Sequence, residues 1–176
     1  MEYNLRKLDP IEFEKLSKDI MNYYYKLENK FIRGKVGRDG GIDLISDDGY
    51  ILVQCKHYIN SKYSNLKSAI QYELQTRNFK EIKKYYIITS LELKILEKQE
   101  ISKMFVGKDF QFDIIDGIQI DDLLIQNPDI VKNNIKLWVT PYYLENIYKS
   151  KLISLGTEIM LNEVENNLKY FVETKS

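Results

Sequence analysis

Gly37-Arg38-Asp39-Gly40-Gly41-Ile42-Asp43-Leu44-Ile45-Ser46-Asp47-Asp48-Gly49-Tyr50-Ile51-Leu52-Val53-Gln54-Cys55-Lys56 reads as a glycine-rich loop running into a β-hairpin. Two apolar, β-prone runs flank Asp48-Gly49, the pair that best suits a two-residue type I′ turn. With those two residues as the loop, Asp47 faces Tyr50, Ile45 faces Leu52, and Asp43 stands opposite Gln54. Opposed side chains on one face have Cβ atoms about 4.5–5.5 Å apart, a gap that one cation can bridge. Lys56 lies two residues beyond Gln54, so strand alternation returns it to the same face roughly 6.5 Å along. A carboxylate, an amide oxygen and an ammonium are therefore expected to converge.

Such a set suits metal-assisted phosphodiester hydrolysis. Asp43 and Gln54 offer hard oxygens to Mg²⁺, with Mn²⁺ as a substitute, and the backbone carbonyl of Cys55 offers a third. A bound cation lowers the pKa of a water and polarises the phosphate, while Lys56 orients that water or stabilises developing charge. Spacing alone leaves a plainer reading open, in which Asp43 only leads into a strand and Gln54 and Lys56 are polar positions on a sheet edge.

Gly37-x-Asp39-Gly40-Gly41-Ile42-Asp43, followed after ten residues by Gln54-x-Lys56 on a strand, resembles the Mrr-type branch of the restriction-endonuclease-like PD-(D/E)xK nucleases. The resemblance covers roughly residues 5–140. It implies that Asp43 binds metal, that Gln54 is the second ligand, which in this branch is often Gln, and that Lys56 is the catalytic lysine. It also implies DNA as substrate and a Glu near the start of the first helix that reaches the site, a place Glu14 fills in the run Phe13-Glu14-x-Leu16. A solvated helix acid is the other reading of Glu14. Asp39 and Gln71 stand as auxiliary candidates, and Lys35, Arg38, Lys62 and Lys67 as candidate phosphate contacts. Two departures from the wider pattern occur. Ile42 replaces its Pro, as is ordinary in this branch, and Gln54 in place of Glu removes a negative charge, which should weaken cation binding.

A chain of 176 residues, 44% hydrophobic, is long enough for one domain with a full core. Its 26 basic and 26 acidic residues cancel, so no global cationic field marks it as a nucleic-acid binder. The distribution is uneven, however: residues 26–84 hold twelve basic and seven acidic side chains, and 109–130 hold six Asp and no base. A basic face near the hairpin is one reading, ordinary solvated surface the other. The single cysteine, Cys55, excludes an internal disulfide framework and is expected to be a buried small residue. The single histidine, His57, shares the face of Cys55 and is expected to be structural. No apolar run has signal-peptide or transmembrane length, so a soluble, cytoplasmic protein is expected.

Along the chain, Asp9-Pro10 with Glu12 predicts a capped helix whose buried stripe is Phe13, Leu16, Ile20, Tyr24 and Leu27. Tyr23-Tyr24-Tyr25 is more simply packing than base stacking. After the hairpin, Ser61–Ser64 leads into a helix with Leu66, Ala69, Ile70 and Leu74 inward and Lys62, Lys67, Gln71 and Arg77 off that stripe. Tyr85–Thr89 predicts a strand buried on both faces. Ser90 is expected to cap a helix to about Met104, Phe110–Ile115 forms a strand closed by a turn at Asp116-Gly117, and helices follow at Asp121–Gln126 and Asn127–Ile135. The implied fold is α/β: a central mixed sheet of four to five strands flanked by helices, residues 1–140, with a helical extension or linker over 141–176 broken at Gly156.

Asn127-Pro128-Asp129-Ile130-Val131 to Lys136-Leu137-Trp138 further resembles the end of nuclease-like modules at the N-terminus of bacterial antiviral STAND ATPases. That resemblance implies an effector in antiphage defence, joined to or activated by an ATPase and sensor, and the tail reads as a linker helix, the seam of a homo-oligomer or part of the core. The expected activity is a Mg²⁺-dependent endonuclease on DNA. A catalytically inactive nuclease fold that binds nucleic acid or protein, and a junction-resolving nuclease, are the other readings.

Overall fold

The computed structural model describes residues 3–26, 30–34, 41–138, 149–151 and 153–162. Lys35, Arg38, Asp39 and Leu27 lie outside the described residues. The chain divides into two compact units, residues 1–138 and 139–176.

In the first unit, Asp9 caps α1 (Pro10–Tyr24). Its carboxylate accepts the Glu12 amide at 2.8 Å while Glu12 accepts the Asp9 amide at 2.8 Å, so two otherwise orphaned donors are satisfied reciprocally. Phe13, Leu16, Ile20 and Met21 are buried. Tyr24, expected on the same stripe, is half exposed, as is Tyr23. The helix stops there, and Tyr25 turns inward instead, its hydroxyl 2.8 Å from that of Tyr86.

Five strands form one sheet in the order β1 (Phe31–Arg33), β2 (Leu44–Ser46), β3 (Ile51–Lys56), β4 (Lys84–Thr89), β5 (Gln111–Ile115). The first two pairings are antiparallel and the last two parallel. Parallel neighbours need crossovers, supplied by α2 (Tyr63–Thr76) and α3 (Ile95–Lys103). Those two helices cover one face, where Leu66, Ile70 and Ile101 pack on Leu52, Tyr85, Ile87 and Ile114. On the other face, α1, α4 (Gly117–Gln126) and α5 (Pro128–Asn133) bury Val53, Tyr86, Ile88 and Ile115. The fold is thus the mixed, helix-flanked α/β sheet that the sequence implies.

The hairpin turn differs from the expected type I′. That type needs positive φ at both central residues, yet among the described non-glycine residues only Lys26 and Glu81 have it. The Asp48 carboxylate instead accepts the Ser46 hydroxyl at 2.5 Å and the Tyr50 amide at 3.0 Å. Gly49, at φ +78°, donates to the Ser46 carbonyl at 2.9 Å, and the loop widens to four residues. Widening by one residue on each side preserves parity, so Ile45 still pairs with Leu52 and Leu44 with Val53.

Other boundaries shift for local reasons. Ser90 does not cap α3. Its hydroxyl exchanges hydrogen bonds with the Tyr58 backbone, and α3 begins only at Ile95. Asp116 is the cap of α4, accepting the Gln119 amide at 3.1 Å, so that helix starts at Gly117 rather than Asp121. In the second unit, residues 149–151 and 153–162 are helical, and the helix passes through Gly156 without a break.

β1, three residues long, is held close by Gly34, whose amide donates to the Asp43 carbonyl at 3.0 Å. A Cβ at that position would stand 1.9 Å from the Ile42 carbonyl oxygen. Gly34→Ala is therefore expected to push β1 off the backbone that carries Asp43, costing about 1–3 kcal/mol, with thermal unfolding as the measurement.

Candidate active site

Gln54 and Lys56 alternate onto the α2/α3 face of β3, and the hairpin register carries Asp43, just before β2, to the same place. The Asp43 Oδ2 atom accepts Gln54 Nε2 at 2.5 Å and the Cys55 backbone amide at 2.7 Å. Lys56 Nζ forms an ion pair with Glu73 Oε1 on α2. The other oxygen of Glu73 accepts the Tyr85 hydroxyl. Arg77, the residue that caps the C-terminal end of α2, donates from Nη2 to Gln54 Oε1 and to the Gly41 carbonyl, each at 2.8 Å.

Burial pushes the Asp43 carboxyl up to about 6. The Cys55 amide and the Lys56 ammonium oppose that rise, whereas the charges of Glu14 and Glu73 add to it. A carboxylate so placed holds its proton until near neutrality unless a cation compensates for the lost water.

Glu14 comes from the other face. It lines a cavity of about 200 Å³ with Phe13, Cys55, Lys56 and His57. Its carboxylate accepts Arg33 Nη2 at 2.7 Å and Nε at 3.3 Å. It is close enough to act on Asp43 electrostatically, yet its own charge is committed to Arg33. The Cys55 thiol is partly buried against the α1 side, and desolvation raises its pKa, so Cys55 serves this site through its backbone. His57 is held in place by packing: Nε2 lies 2.8 Å from the Leu8 carbonyl oxygen and the ring stacks on Phe13 at 4.8 Å.

Helix α2 departs most from the sequence reading. Gln71 is exposed and touches none of these groups, while Glu73 and Arg77 point inward. Counting from Leu66, the positions Ile70, Glu73 and Arg77 fall at i+4, i+7 and i+11, the period of one helix face. That spacing was the available signal, obscured because both residues are charged. Lys67 pairs with Glu100 of α3, and Lys62 stands exposed at the cap of α2.

All oxygens that could hold a cation here are hard: the Asp43 carboxylate, the Gln54 amide oxygen and the Cys55 carbonyl. Among the described residues no three His, Cys, Asp or Glu side chains cluster as a metal site, so neutral oxygens would have to complete the shell of such a cation. The Arg77 guanidinium, sitting 2.8 Å from two neutral oxygens, shows that this corner accommodates positive charge. The residues fit a divalent cation on these grounds. Among the described residues no helix is long and apolar enough to cross a membrane.

Comparison with known proteins bears on the same segment. A family model described as restriction endonuclease matches residues 5–124, a span that includes all five strands and Glu14, Asp43, Gln54, Lys56, Glu73 and Arg77. The uncharacterized protein y4cD of Sinorhizobium fredii is 31% identical over 144 residues, covering 78% of this chain and 22% of that protein. The chain thus spans about a fifth of the length of the curated relative it matches.

Proposed function

The chain belongs to the Mrr-type restriction endonuclease family, and from that premise we propose that it hydrolyses phosphodiester bonds of DNA with a divalent cation, Mg²⁺ or its substitute Mn²⁺. The observation that carries this reading is the convergence of Asp43, Gln54 and Lys56, with the Asp43 carboxylate desolvated and fixed by two hydrogen bonds.

Asp43, Gln54 and the Cys55 carbonyl would hold the cation, with Glu14 as a further oxygen donor if Arg33 releases it. When bound, such an ion supplies an acidified water and a polarised phosphate. Asp43 must first give up its proton. The Cys55 amide then fixes the carboxylate's orientation, and Glu73 holds the Lys56 ammonium beside it. From there Lys56 can donate hydrogen bonds to the attacking water or to a phosphate oxygen as negative charge develops. Lys62, with Lys35 and Arg38, would contact phosphates, and Lys67 would have to leave Glu100 to do so.

The biological setting we propose is antiphage defence, with this domain as an effector or restriction module of a longer assembly that includes a STAND-type ATPase and sensor. Support comes from the resemblance of residues 127–138 to such modules and from the greater length of the y4cD relative. Incubation of supercoiled plasmid with protein and Mn²⁺ or Mg²⁺ tests the activity: nicked or linear product is expected from wild type and none from Asp43→Asn. Equal product from both would remove the site. The alternative, a binding module without chemistry, requires that Asp43→Asn leave cation affinity unchanged.

A further inference from the structure

Gln54 is engaged at both ends of its carboxamide. Nε2 lies 2.5 Å from Asp43 Oδ2, and Oε1 lies 2.8 Å from Arg77 Nη2. Turning the amide over would set oxygen against carboxylate and NH₂ against guanidinium, so the two charged neighbours together fix one orientation. In that orientation the oxygen faces Arg77. For Asp43 and Gln54 to share a cation, the Gln54 oxygen must leave Arg77 and turn toward the carboxylate. The Arg77 contact therefore opposes cation loading.

Arg77 is also poorly satisfied where it rests. Its Nε is buried without a hydrogen-bond partner and has only Glu73 Oε2 at 3.9 Å. Glu73 holds Lys56 on its other oxygen, so the two cations flank one carboxylate. A guanidinium is a planar fork of five donors that matches phosphate oxygens two at a time. Building on the cation-dependent reading above, we propose that Arg77 is a phosphodiester-binding residue. A substrate phosphate draws its guanidinium away from Gln54 and frees the amide oxygen for the cation, so that DNA and cation bind cooperatively. Linkage makes the effect reciprocal: the cation strengthens phosphate binding by the same factor.

The test is Mn²⁺ affinity, read from the electron paramagnetic resonance of free Mn²⁺, for wild type and Arg77→Gln, without and with a hydrolysis-resistant DNA duplex. Asp43→Asn serves as the baseline for Mn²⁺ held by the DNA itself. Wild type is expected to bind Mn²⁺ about tenfold more tightly when duplex is present, within the usual range of coupling. Arg77→Gln is expected to bind Mn²⁺ that tightly with no duplex and to gain little from adding it. A thermal melt run alongside checks folding. Arg77→Lys, which keeps the charge but not the fork, is expected to lose most of the coupling even if Arg77→Gln folds poorly. Mn²⁺ binding through Asp43 with undiminished coupling in both variants would overturn the role of Arg77 alone. Wild type binding no more Mn²⁺ than Asp43→Asn would overturn the cation reading itself, and this proposal with it.

Discussion

Asp43→Asn is expected to melt later than wild type at pH 8 while losing cation binding and cleavage together. The sign follows from the carboxyl whose pKa burial raises to about 6, above its ordinary value of 3.8. The neutral form suits the fold, so this group supports the folded chain fully below about pH 4. That support is withdrawn as pH rises to about 6. Asparagine keeps an oxygen to accept from Gln54 and Cys55 but carries no charge to desolvate. Allowing for partial solvent screening, the gain is of order 2 kcal/mol at pH 8, about 5 °C in melting temperature, shrinking toward zero near pH 4. Added Mn²⁺ should raise the melting temperature of wild type and leave the variant unmoved, because a ligand stabilises only the state that binds it. Calorimetric melts across pH, with and without Mn²⁺, measure all of this. A variant that melts earlier than wild type at pH 8 would show that the buried carboxylate is structural.

Lys56→Met is expected to separate chemistry from cation binding. The ammonium would meet charge that develops on the phosphate, and losing one such donor typically costs about 10²–10³ in rate. Mn²⁺ affinity should stay within about threefold of wild type, since Lys56 supplies no ligand oxygen. The variant also takes from Glu73, whose side chain is 10% exposed, its nearest cation and leaves it Arg77 Nε at 3.9 Å, so the cost stays below the roughly 3–5 kcal/mol of a buried pair broken from one side. Adding Glu73→Gln removes the undercompensated charge and should restore most of that stability. Cleavage should not return with it. Nicking rates of supercoiled plasmid, beside melts of the single and double variants, distinguish the two effects, and full activity in Lys56→Met would end the role assigned to the lysine.

How much of this was legible beforehand depended on whether a feature is periodic or conditional. Parity along the hairpin placed Asp43, Gln54 and Lys56 on one face even though the turn type was misread, because a four-residue loop preserves the alternation that a two-residue loop would give. The reciprocal cap of α1 was legible because its donors and acceptors are three residues apart in one segment. β1 was not delineated: at three residues it shows no alternation, and it exists through pairing with β2 and the close approach that Gly34 permits. Glu73 and Arg77 were missed because a helix stripe is ordinarily recognised by apolar residues. Here its last two positions are charges that become satisfied only when Lys56 and Gln54 arrive from a strand about twenty residues earlier. Tyr24 fits the period of α1 but is its last residue, and Tyr25, past the helix end, takes the inward place.

The most direct measurement is anomalous diffraction from crystals of the protein soaked in Mn²⁺ above pH 7, where Asp43 is ionised. A single strong peak between the Asp43 carboxylate, the Gln54 amide oxygen and the Cys55 carbonyl, with Arg77 turned away from Gln54, is the expected result. A peak elsewhere with the Asp43–Gln54 hydrogen bond intact, or none at this corner, would contradict the account.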